Sequence, residues 1–217
     1  MSKFLELLKE RVVVFDGAMG TYLQSLNLSI DEWGGPAFEN CSENLLYTRP
    51  DAIETVHKAF LDIGCDVIET NSFGGSEVVL TEFGIADKTY DVNKRAAELA
   101  KRIASDYSTK EKPRFVAGSI GPGTKLPTLG HITYRDLKNA YREQIRGLVD
   151  GGSDVLIVET CQDLLQTKAS LAAIFEHFEK YKIRIPVIAQ VTIEIFGTML
   201  NGTEIGAALT ALEPFPI

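Results

Sequence analysis

The residues best placed to do chemistry are carboxylates that end short apolar runs. Asp154-Val-Leu-Ile-Val-Glu-Thr160 stops on Glu159, and Gly64-Cys-Asp-Val-Ile-Glu-Thr70 repeats its phrase of Gly-x-Asp-Val followed by Glu-Thr. A third run, Val12-Val-Val-Phe15, ends on Asp16 and opens into Asp16-Gly17-Ala-Met-Gly20-Thr21. Glycines in that turn let backbone amides come close to a ligand, which suits an anionic group. Such Val, Leu and Ile runs, bounded by glycine and followed by helical periodicity, read as strands buried on both faces of a parallel sheet. In a repeated β/α unit the carboxyl end of each strand faces the active site.

The elements that position these groups follow in order. Strands are expected at residues 12–15, 67–70, 115–119, 154–160 and 186–192. Phe4, Leu5, Leu7 and Leu8 mark a first helix that plugs the bottom of a barrel or covers its edge. Residues 24–47, with the lone Trp33, show no clear period and read as a long excursion over the top face, with Cys41 on its solvent side. Pro50 starts a helix carrying Ile53, Val56, Phe60 and Ile63, stopped by Gly64; His57 within it reads as structural or solvated. Val92, Ala96, Leu99 and Ile103 mark the next helix. Leu137, Tyr141, Ile145 and Leu148 mark another, started by Thr133 with Asp136 three residues on. After Glu159 the pattern Leu164, Leu165, Lys168, Leu171, Ala172, Phe175 and Phe178 predicts one buried helix face, and Ile205, Ala208, Leu209 and Leu212 a last helix.

Composition narrows the function. The chain has 217 residues, 45% of them hydrophobic, and a net charge of −8 without a basic cluster. One domain with a small-molecule site is expected, not a nucleic-acid or membrane partner. No 18-residue apolar run and no signal-peptide core is present, and three widely spaced cysteines fit a reducing compartment, so a cytoplasmic location is expected. Residues 120–130 hold a glycine-rich loop before Lys125, but the spacing is not that of a P-loop.

Taken together, five phrases resemble the homocysteine S-methyltransferase family, and most nearly its cobalamin-dependent members. They are Phe15-Asp-Gly-Ala-Met-Gly-Thr21; Val67-Ile-Glu-Thr-Asn-Ser-Phe73; Ala117-Gly-Ser-Ile-Gly-Pro122 with Lys125-Leu-Pro-Thr-Leu-Gly-His131; Asp150-Gly-Gly152 with Val158-Glu-Thr-Cys-Gln-Asp163; and Gly197-Thr-Met-Leu200. The resemblance implies a (β/α)8 TIM-barrel fold, of which the chain spans about the first five units. It also implies that Asp16 and Gly17 bind the amino-acid end of homocysteine, with backbone amides on its carboxylate, that Glu159 pairs with its ammonium, and that Thr70 adds a hydrogen bond. Asn71, Ser72 and Gly121 are expected to line the pocket.

Family members bind zinc through an Asn-Cys motif after strand six and a Cys-Cys pair after strand eight, positions expected beyond Ile217. The zinc lowers the thiol pKa for attack on a methyl group. Cys65 belongs below the second strand and Cys161 above the fourth, about 20 Å apart for a six-residue strand, whereas zinc takes its ligands at about 2.3 Å. No catalytic or metal-ligating residue is therefore expected in this chain. Zinc and methylcobalamin are expected for the full-length enzyme, with corrinoid and folate domains following in the same chain. The alternatives are a stand-alone methyltransferase using betaine or S-methylmethionine, a non-catalytic truncated product, and a different β/α enzyme with its own chemistry.

Overall fold

The computed structural model describes residues 2–217. Helices α1 (Lys3–Glu10), α2 (Met19–Ser25), α3 (Ile30–Trp33), α4 (Leu45–Thr48) and α5 (Pro50–Ile63) precede strand β1 (Val67–Glu69). Next come α6 (Glu77–Glu82), α7 (Thr89–Tyr107) and β2 (Phe115–Ile120), then α8 (Tyr134–Ala140), α9 (Arg142–Asp150) and β3 (Val155–Cys161). The chain continues through α10 (Leu164–Tyr181), β4 (Val187–Val191) and α11 (Ile205–Leu212). The strands are parallel and adjacent in chain order, an α/β sheet of TIM-barrel type with four strands. No helix of the described residues is long and apolar enough to cross a membrane.

The predicted first strand, residues 12–15, is reduced to one parallel bridge between Phe15 and Val67. Val12 is 81% exposed, so this run is paired on one side only and only toward its end. What holds it is the repeated phrase noticed in the sequence. Asp66 donates its amide to the Val14 carbonyl (2.7 Å) and takes the Val14 N–H on Oδ2 (2.9 Å). Asp154 does the same with Val116, at 2.8 and 2.9 Å. Each aspartate thus closes the bottom of the preceding strand, and each is paired with a cation: Arg11 with Asp66 and Lys101 with Asp154. The Asp of Gly-x-Asp-Val is a register device.

Side chains alternate across the sheet. Val67, Phe115, Ala117, Val155 and Ile157 face inward, and Phe4 of α1 packs against them from below. Its ring meets Phe115 edge-on at 5.7 Å and Phe15 at 6.4 Å. The first helix is therefore a bottom plug, and burying that Phe contributes about 1.5–3 kcal/mol. On the outer face Ile68 and Val116 pack under α5 and α7, and Leu156 and Val158 under α8, α9 and α10. Close approach of α7 and α9 explains Gly151, where a Cβ would lie 2.6 Å from both the Lys94 carbonyl and Ala97 Cβ.

Two expectations change. Residues 24–47 are not irregular: α3, capped by Ser29 and Glu32, two 3₁₀ turns and α4 fold there, and Trp33 and Leu45 pack with Leu23 and Ile53. Cys41 is fully buried, not on a solvent side. The buried face of α10 includes Gln166, Thr167, Ala169, Ser170 and Ile174, whereas Leu165 is exposed. Polar residues occupy that face because each finds a partner: Gln166 donates to the carbonyls of Pro122 and Lys125 in the neighbouring loop, and Thr167 and Ser170 donate back to carbonyls of the turn before them. Hydrophobic periodicity does not register such a face.

Candidate functional site

The inner face of the sheet changes from apolar to polar on climbing it. Glu69 pairs in register with Ala117, and Ala117 with Val155; Ser119 pairs with Ile157, and Glu159 lies two residues higher on the same face. Asp16 joins from the side, its amide donated to Val67 O (2.9 Å) and its Oδ2 accepting the Glu69 N–H (3.0 Å). Its Oδ1 is buried without a hydrogen-bond partner.

Burial pushes the Asp16 carboxyl up to about 7 despite its backbone hydrogen bonds, and the charge of Glu159 adds to the rise. Burial pushes Glu69 up to about 8, and Glu159 and then Asp16 push it further the same way. Asp16 and Glu69 therefore both feel the charge of Glu159 at the strand ends, a field suited to a cationic group. Glu69, the second of the three acidic strand ends in the sequence, has no binding role among the expectations. Strand alternation from Val67 puts it on the inner face.

Glu159 sits at a deformation. Val158 pairs with Ala189 and Cys161 with Val191, so β3 carries one extra residue, a bulge. Within it Thr160 has φ +57°, a conformation unfavourable for a β-branched residue. The bulge reverses the alternation, so Cys161 joins the outer cluster with Leu156 and Val158. Glu159 keeps its inward side chain, and Ser119 Oγ donates to its Oε1 at 2.6 Å.

The other expected residues form the frame around these groups. Thr70 is buried, and its Oγ1 accepts the Ser119 N–H (2.9 Å) and lies 2.6 Å from Ser72 Oγ. Ser72 donates its only hydroxyl hydrogen to Ser119 O (2.8 Å), so Thr70 is the donor to Ser72. Asn71 donates to Ser42 O, away from the carboxylates. Gly121 lies under the same loop, where a Cβ would be 2.5 Å from the Phe73 carbonyl. Gly17 is exposed directly after Asp16, and with the Asp16 amide already donated, the free amides of this turn begin at Gly17 or beyond.

Glu43, also unread in the sequence, is buried and accepts the Gly74 N–H at 2.6 Å, tying the early excursion to the loop after β1. Asp163 ties the loop holding Lys125 and His131 to the start of α10 by accepting from Thr128 N and Oγ1, both at 2.8 Å. Among the described residues no group of three or more His, Cys, Asp or Glu is arranged to hold a metal. Burial keeps the three thiols protonated, pushed up to about 11 at Cys41 and about 12 at Cys65 and Cys161. These residues do not fit a zinc site. A concavity of about 1370 Å³ opens at the opposite end of the strands beside Phe4 and Pro186 and contains none of Asp16, Glu69 and Glu159.

Comparison with known proteins gives a consistent picture. The family profile described as homocysteine S-methyltransferase matches residues 13–217. Methionine synthase of Mycobacterium leprae (strain TN) is 48% identical over 213 residues, and that of Mycobacterium tuberculosis (strain ATCC 25618 / H37Rv) 46%. In each case the match spans 98% of this chain and 18% of the relative's length. The metallated form of the homocysteine methyltransferase MmuM from Escherichia coli superposes with a TM-score of 0.79 at 21% identity, over 97% of this chain and 74% of that one. Its apo form gives 0.72 at the same identity, over 97% and 71%. At that identity the likeness is one of fold.

Proposed function

The chain belongs to the homocysteine S-methyltransferase family, and from that premise we propose that it is the homocysteine-binding part of an enzyme that moves a methyl group from methylcobalamin to homocysteine, giving methionine. The observation that carries this reading is the 46–48% identity to two methionine synthases along 98% of the chain. It favours methylcobalamin over betaine or S-methylmethionine as donor.

The part assigned to this chain is binding and orientation. Homocysteine carries an ammonium and a carboxylate on one carbon, so its recognition needs a carboxylate on one side and N–H donors on the other. Glu159 takes the ammonium; the turn from Asp16 and Gly17 gives amides to the carboxylate. Thr70, Asn71, Ser72 and Gly121 serve by holding the loops around that end. Residues 1–217 form one partial barrel domain, with the corrinoid and folate domains in the same whole protein, in the cytoplasm. Zinc supplies thiol activation in the whole enzyme, and because the described residues do not fit it, no step of this chain runs through it.

The test is an assay of the protein at its natural length, supplied with zinc and homocysteine and, in parallel, methylcobalamin, betaine or S-methylmethionine. The reading expects methionine from methylcobalamin. Methionine from betaine or S-methylmethionine alone would replace it with the stand-alone reaction.

A further inference from the structure

We propose that Ser119 is the residue that positions Glu159, and so sets how strongly the site prefers a ligand with an ammonium group. The inference rests on the reading of Glu159 as the ammonium partner. Glu159 has three rotatable side-chain bonds at the mouth of the sheet, and an unheld carboxylate there would lose rotamer entropy on binding. Two hydroxyls lie near it. Thr160 Oγ1 is at 3.5 Å, the limit of a hydrogen bond, and Ser119 Oγ is at 2.6 Å.

Ser119 is itself immobilised from both ends of its peptide. Its N–H is donated to Thr70 Oγ1. Its carbonyl accepts Ser72 Oγ at 2.8 Å and, at 3.5 Å, Nε2 of Gln144, which reaches in from α9 and binds Ser72 O at 2.8 Å. Gln144 and Ser72 are fully buried, and Ser119 is 2% exposed. The lock therefore runs from an outer helix through two strand ends to one hydroxyl, and that hydroxyl delivers its proton to the carboxylate. Fixing a charged group before the ligand arrives is the usual way to convert a contact into affinity.

The experiment is calorimetric binding of homocysteine and of 4-sulfanylbutanoate, the same molecule without its amino group, to the protein at its natural length. Wild type is compared with Ser119→Ala, Ser119→Thr and Glu159→Gln. Ser119→Ala is expected to weaken homocysteine about tenfold, as for the loss of one charge-assisted hydrogen bond, and to leave 4-sulfanylbutanoate unchanged. Ser119→Thr, which keeps the hydroxyl, is expected to stay within about twofold of wild type. Equal weakening of both ligands by Ser119→Ala would reduce Ser119 to a packing role and overturn the proposal. If Glu159→Gln weakens homocysteine while Ser119→Ala does not, the proposal fails alone. If Glu159→Gln has no effect, the reading of the site fails with it.

Discussion

Asp16 Oδ2 accepts the backbone N–H of Glu69 at 3.0 Å, which links two half-buried acidic residues that both feel the charge of Glu159. In the unfolded chain both titrate near their ordinary values, about 4, whereas in the fold Asp16 is pushed up to about 7 and Glu69 to about 8. Between those limits the native state holds more protons than the unfolded one, so this pair's contribution to stability falls as pH rises from about 4 to about 8. Glu69→Gln removes the larger part. It is expected to raise the melting temperature at pH 8.5 by about 2–4 °C, with little change at pH 5.5, by differential scanning calorimetry. The same shift at both pH values would show that ionisation of Glu69 is not what is felt.

Thr160 stores strain beside Glu159. A β-branched residue at φ +57° costs about 1–3 kcal/mol, part of which glycine would recover. Thr160→Gly is expected to move the urea midpoint up by the equivalent of about 1 kcal/mol. It is also expected to weaken homocysteine binding, because the bulge that aims Glu159 becomes flexible. A lower midpoint would mean that the left-handed conformation costs this Thr nothing.

His57 of α5 is fully buried with neither ring nitrogen partnered. Burial pushes it down to about 4, although Glu54 pulls the other way. The unfolded chain takes up that proton at about 6.5, so this contribution is present above about 6.5 and is lost as pH falls toward 4. His57→Leu is therefore expected to gain more stability at pH 5 than at pH 7.5 in urea titrations. An equal gain at both would locate the effect in packing alone.

What could be read from the chain was periodic or repeated. Ile53, Val56 and Gly64 gave a helix and its stop, Thr133 with Asp136 a start, and the Gly-x-Asp-Val phrase two strands; α5, α8, β1 and β3 stand where these placed them. Cys41 departs from expectation because a loop of short helices buries residues without a period, and Leu165 because Gln166 buries polar atoms that find partners in the loop before α8 while Thr167 bonds back to the Asp163 carbonyl. The strand-end position of Glu69 is legible in the repeated phrase, but the roles of Ser119 and Gln144 depend on register between strands and on a helix 72 residues from Ser72. Such pairings are three-dimensional and leave no local pattern.

Whether Glu159 receives the ammonium of homocysteine is decided by the homocysteine dissociation constant of Glu159→Gln beside wild type, by calorimetry at pH 7.5 on the protein at its natural length. The amide keeps the shape and removes the charge. Affinity is expected to fall about 10–100-fold, the loss of a hydrogen bond to a charged partner, with the thermal transition unchanged. An unchanged dissociation constant would contradict it and move the ammonium to Asp16 or Glu69.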